Sequence, residues 1–201
     1  MRKAIIQHAL KRQRPGAGSS KHFLAGRTVM VTWPDLTQVL APISWAVVGA
    51  AATRLYMPER ATLDLDIAVR EEDGPEIRRR LAGAGFRYQG ELNIGGSSWQ
   101  DPGGVSVDVL ERSDRWFPQA LAQAQGNRDD QGLPVLPLRY LVLMKFQAGR
   151  AQDIADVSRM LGQATDPTLD EIRALFAELL PGEMEDLESL IYLGKLELEG
   201  P

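Results

Sequence analysis

GAAATRLYMPERATLDLDIAV, residues 49–69, is the stretch on which the fold turns. Its last third, LDLDIAV (63–69), alternates with period two and reads as a β-strand. Asp64 and Asp66 stand two apart on that strand, so both carboxylates leave the same face, about 7 Å apart along the chain. Its beginning reads differently. SWAVV (44–48) is a short apolar strand that runs into Gly49, and AAATRLY (50–56) reads as a helix stopped before Pro58. Strand, glycine turn, helix and acidic strand thus follow one another within 26 residues.

Outward from that stretch the pattern continues. TVMVT (28–32) is β-branched enough for a strand, and Pro34 opens a helical turn that ends near Pro42. Residues 73–84 read as a helix with Asp73 as cap and Gly85 as stop. ELNIGGSSWQ and GVSVDVLE, separated by DPG, read as an antiparallel pair. The expected fold class is α/β (α+β), a mixed sheet flanked by helices. From Pro137 onward LRYLVLMKFQAG, RAQDIADVSRMLGQ, LDEIRALFAELL and EMEDLESLIYLG read as four helical segments. Three parts are therefore expected: a basic N-terminal arm (1–27), an α/β core (28–135) and a C-terminal helical region (136–201).

Composition removes several classes of chemistry. No cysteine occurs among the 201 residues, which excludes a disulfide framework, a thiolate zinc site and a thiol nucleophile. The two histidines, His8 and His22, both fall in the N-terminal stretch, so a multi-histidine metal site is excluded too. Ser97 and Ser98 have no histidine near them in sequence, which makes a serine hydrolase a poor reading. No apolar run approaches the roughly 20 residues that cross a bilayer, and the charged start is unlike a signal peptide. A cytoplasmic protein with no membrane partner is expected. Net charge is −4, yet the first 34 residues carry seven Lys or Arg and no acid. That arm is either a solvated leader, as the linker-like RPGAGSSK suggests, or a contact for nucleic acid.

The acids narrow the choice further. Two carboxylates on one strand face repel, and a divalent cation between them removes the penalty. Hard oxygen ligands suit Mg²⁺, which takes one or two carboxylates plus substrate phosphates. Asp108 stands mid-strand between Val107 and Val109, so it points away from the face that those valines bury. If its strand lies beside the first, three carboxylates converge. Solvated acids on an exposed strand are the competing reading of Asp64 and Asp66. Gly49 likewise is either a plain strand-to-helix turn or a backbone cradle for phosphate. Lys145 interrupts the apolar run LRYLVLM, and either snorkels outward or is aimed at an anion.

Taken together, Gly49, Arg60, Thr62, Asp64 and Asp66, with the later strand Asp108, resemble the nucleotidyltransferase superfamily built around the DNA polymerase β core. Within it the chain looks closest to AbiEii-type toxin nucleotidyltransferases. The downstream companions of the motif are Lys145, Arg150, Asp153 and Asp156, and the resemblance spans roughly residues 43–162. It implies that Asp64 and Asp66 bind Mg²⁺ or Mn²⁺ and that Asp108 completes the metal site or acts as base. It implies nucleotide contacts from Gly49, Ala50, Arg60, Thr62, Lys145 and Arg150, with Asp153 or Asp156 orienting them. The implied activity is transfer of NMP from an NTP to RNA such as tRNA, or to a protein, in a toxin with a cognate antitoxin. The sequence departs from the family where Ala50, Ala51 and Ala52 follow Gly49 in place of Gly-Ser or Gly-Gly. That departure favours the alternative, a non-catalytic partner- or nucleotide-binding module on the same fold.

Overall fold

The computed structural model describes residues 1–15, 32–58 and 62–199. In chain order the elements are α1 (Arg2–Arg12), α2 (Thr37–Leu40), β1 (Ala46–Val47), α3 (Gly49–Thr53), β2 (Asp64–Arg70) and α4 (Gly74–Gly83). There follow β3 (Arg87–Glu91), β4 (Gly96–Gln100), β5 (Ser106–Arg112) and α5 (Phe117–Ala124). The last four are α6 (Leu138–Ala148), α7 (Ala151–Gln163), α8 (Asp166–Leu179) and α9 (Met184–Leu198). Chain contacts divide them into a sheet unit (Thr28–Leu55, Arg60–Pro137) and a helical unit (Met1–Arg27, Tyr56–Glu59, Leu138–Pro201).

The sheet unit holds five strands in the order β1-β2-β5-β4-β3, flanked by helices. β2 and β5 run parallel at its centre, and the other pairings are antiparallel. Mixed direction follows from connectivity. β3, β4 and β5 are joined by short hairpins, whereas α4 carries the chain from β2 to the edge strand β3, so that β5 returns parallel beside β2. The strands alternate as their sequences require: Leu65, Ile67 and Val69 of β2 and Val107 and Val109 of β5 are fully buried. Fully burying each such side chain is worth about 1.5–3 kcal/mol. α3 and α5 pack against β2, with Phe117, Ala120 and Leu121 carrying the buried face of α5.

Several elements differ from the sequence reading, among them β3 (Arg87–Glu91), which precedes the stretch expected to pair. Residues 28–31 of the expected first strand lie outside the described residues, and Thr32 is not in a strand. α5 was not expected from FPQALAQA, because eight residues leave too few turns for a periodic signal.

In the helical unit α7 and α9 cross at a pair of glycines. A Cβ on Gly194 would overlap the Ser158 carbonyl oxygen, and one on Gly162 would meet the Gly194 backbone. The start of the chain is helical over Arg2–Arg12. Ile6 is 1% exposed, and α1 lies along α7 and α9. Arg2 anchors it: its guanidinium carbon lies 4.0 Å from the Phe146 ring centroid, and its Nη2 is 2.7 Å from Glu183 Oε2. Asp186 Oδ2 stands 3.6 Å from Arg2 Nε.

That anchor has a pH sign. The hydrogen bond from Arg2, joined by its charge, holds the Glu183 carboxyl below its ordinary value despite partial burial. A carboxylate whose folded pKa is lowered contributes stability above the unfolded pKa, and loses it as pH falls through the folded one. Amide-exchange protection factors along α1 should therefore be constant from neutral pH to about 5 and fall below the ordinary carboxylate range. Equal protection at pH 7 and pH 3 would count against the anchor.

Candidate active site

The parallel register of β2 and β5 sets Asp66 opposite Asp108 and Asp64 opposite Ser106. Because the buried valines, leucine and isoleucine take one face, all three acids emerge on the other. One carboxylate oxygen from each of Asp64, Asp66 and Asp108 lies within 4.8 Å of the other two, and all three residues are half-buried. Thr62 Oγ1 donates to Asp64 Oδ1 at 2.5 Å, which fixes that side chain's rotamer. Asp108 Oδ1 is buried and has no hydrogen-bond partner among the described residues.

A buried carboxylate oxygen without a donor carries a desolvation penalty that a bound cation relieves. Three hard oxygen donors converging on one point match the ligand preference of Mg²⁺ or Mn²⁺. The residues present therefore fit a divalent ion.

Gly49 serves this cluster in a way the linear motif does not reveal. Val48 N–H donates to the Asp66 carbonyl at 2.9 Å, extending the β1–β2 ladder and carrying residue 49 over Asp66. Gly49 takes φ +62°, and a Cβ there would overlap the Asp66 carboxylate. Glycine is thus required twice, by backbone conformation and by the approach of a metal-ligand candidate. Gly49→Ala should weaken Mn²⁺ binding at least tenfold, read by calorimetry, since the displaced carboxylate leaves the cluster. Unchanged affinity would mean that Asp66 is not a ligand. Ala50, Ala51 and Ala52 are buried in α3.

Other expected residues are distributed as follows. Arg60 lies outside the described residues. Arg70, which flanks β2, hydrogen-bonds Asp73 and pairs with Glu72. Lys145 of α6 is 5% exposed, with Nζ 2.9 Å from Asp156 Oδ2 and 3.3 Å from Asp153 Oδ1. Arg150, whose side chain is 76% exposed, meets Asp153 Oδ2 at 2.5 Å, and Gln152 donates to Asp156 Oδ1 at 3.0 Å. So the Lys145 side chain points inward, and the anions beside it are Asp153 and Asp156.

Sequence reasoning passed over one neighbour of the acids. Ser98 of β4 is in register with Asp108 and shares its face, completing a row Asp66–Asp108–Ser98 across three strands. The alternation in SSWQ carried the signal, because Ser97 and Trp99 fall on the buried face, where Trp99 Nε1 donates to Ser97 Oγ at 2.9 Å.

No family model matches the chain, and no curated protein matches it. Solved structures similar to it include the following three. A crystal structure of ANT(2″)-Ia with adenylyl-2″-tobramycin is 18% identical, with a TM-score of 0.40, over 75% of this chain and 87% of that one. A solution structure of the antibiotic-resistance factor ANT(2″)-Ia is 19% identical, TM-score 0.42, over 83% and 97%. A Thermotoga maritima protein described as a candidate nucleotidyltransferase is 18% identical, TM-score 0.42, over 64% and 91%. At such identities the chemistry of this chain rests on its own residues.

Proposed function

We propose that the protein is a divalent-metal-dependent nucleotidyltransferase, moving NMP from an NTP to an acceptor hydroxyl. The observation that carries this reading is the convergence of Asp64, Asp66 and Asp108, with a buried Asp108 oxygen lacking a donor. Asp64, Asp66 and Asp108 would hold the ion, Mg²⁺ or Mn²⁺. When bound, such an ion supplies Lewis-acid polarisation of phosphate oxygens and charge neutralisation. The remaining work falls to the chain. Thr62 holds Asp64 in one orientation, and Gly49 lets Asp66 reach the cluster. Asp108 accepts the acceptor's proton as the new O–P bond forms and the bond to pyrophosphate breaks.

The AbiEii-type resemblance supports an acceptor such as tRNA or a protein hydroxyl, and a toxin role with a cognate antitoxin. The basic, acid-free first 34 residues favour RNA, because phosphate contacts by Lys and Arg are the sequence-independent part of such binding. Incubation with each labelled NTP, Mg²⁺ or Mn²⁺ and total tRNA should place label on RNA or on the protein, and chelator present from the start should prevent it. Metal and NTP binding without any transfer would move the chain to the second reading, a nucleotide-binding module, which Ala50 at the turn favours.

A further inference from the structure

We propose that the helical unit carries a separate binding site for a small amphipathic anion, an aliphatic carboxylate, between α1, α7 and α9. A cavity of about 320 Å³ lies there, at the small end of the range of about 300–1,000 Å³ that holds small organic ligands. Ile6 of α1, Ile154 of α7 and Leu190 of α9 give it a buried apolar floor, and Leu193 adds a half-buried wall. Such a lining takes up a ligand's hydrocarbon body, because apolar surface leaves water on both sides.

The polar groups choose the head. Arg12 and Arg14 also line the cavity, and no acid pairs with either among the described residues. Arg159 lines it as well, but its Nε is 3.1 Å from Glu197 Oε1, so that charge is already balanced. One balanced pair and two unbalanced guanidinium groups leave the cavity net positive. A guanidinium presents a planar donor fork that matches a carboxylate bidentately. Apolar floor, limited volume and an uncompensated pair of arginines together fit a short fatty acid better than a nucleotide, whose polar body the floor would strand. The site owes nothing to the Asp64–Asp66–Asp108 cluster and stands whether or not the chain transfers nucleotides.

Octanoate, octanol and octylammonium, titrated separately into the full chain by calorimetry, test this. Octanoate should bind saturably at one site, more tightly than octanol, and octylammonium should bind least. The exposed double change Arg12→Gln with Arg14→Gln should weaken octanoate at least tenfold with circular dichroism unchanged. Ala155→Phe, which places a ring on a half-buried lining position, should block binding. Absence of saturable octanoate binding, equal affinity for octanol, or undiminished binding by the double glutamine variant would each overturn the proposal.

Discussion

Asp64→Asn combined with Asp108→Asn should abolish nucleotidyl transfer, by about a thousandfold or more, while leaving the chain as stable as the parent in chelator. The activity loss follows from removing two of the three proposed oxygen ligands, where a single missing electrostatic stabiliser already costs about 3–4 kcal/mol in the transition state. The stability half is the sharper test. The three carboxylate oxygens lie within 4.8 Å of one another. At an effective dielectric of about 20, a pair of charges about 4–5 Å apart repels by roughly 3–4 kcal/mol, of which solvent exposure and relaxation leave a part. Amides of the same shape relieve that repulsion, and the amide oxygen that replaces the Asp64 carboxylate can still accept from Thr62. Divalent metal should reverse the order, because an ion that binds only the folded parent raises its melting point by mass action. A double variant that melts several degrees lower in chelator would make these acids structural, and the proposed site would fall with that result.

Lys145→Ala should lower the unfolding free energy by about 3–5 kcal/mol, the range found when one partner of a buried ion pair is removed. Asp156 is 0% exposed and would lose the ammonium 2.9 Å away, leaving a buried carboxyl short of its strongest partner. Asp153 is better protected, because Arg150 reaches it from the exposed side. Asp156→Asn added to Lys145→Ala should therefore recover much of the loss, a coupling that a urea-denaturation cycle measures directly. An unchanged midpoint with weakened NTP affinity would instead return Lys145 to the phosphate contact that the family resemblance implies.

The contrast between these two clusters shows what sequence can carry. Asp64 and Asp66 were legible because a strand's period of two is local, and Asp108 because valines on both sides settled its face. Their meeting needed only one assumption, that β5 lies beside β2, which the register Asp66–Asp108 now supplies. Lys145 was ambiguous for the opposite reason. Its partners lie 8 and 11 residues ahead on the next helix, and no periodicity states whether two helices turn those faces together. Gly49 read either as a turn or as a phosphate cradle, and its second constraint stayed hidden because it involves the Asp66 side chain across the β1–β2 ladder. α1 escaped detection on similar grounds: its anchors, Phe146, Glu183 and Asp186, are more than 140 residues away.

The parallel pairing of β2 with β5 also sets an order of events in folding. Antiparallel neighbours such as β3–β4 and β4–β5 close through short turns and can zip early. β5 is not available to β2 until α4, β3 and β4 have been synthesised, so the contact that joins Asp66 to Asp108 is among the most non-local in the sheet. A ribosome releasing the chain from its N-terminus therefore exposes both aspartates of β2 well before their third partner exists. A partly synthesised chain that lacks β5 therefore cannot bring the three carboxylates together.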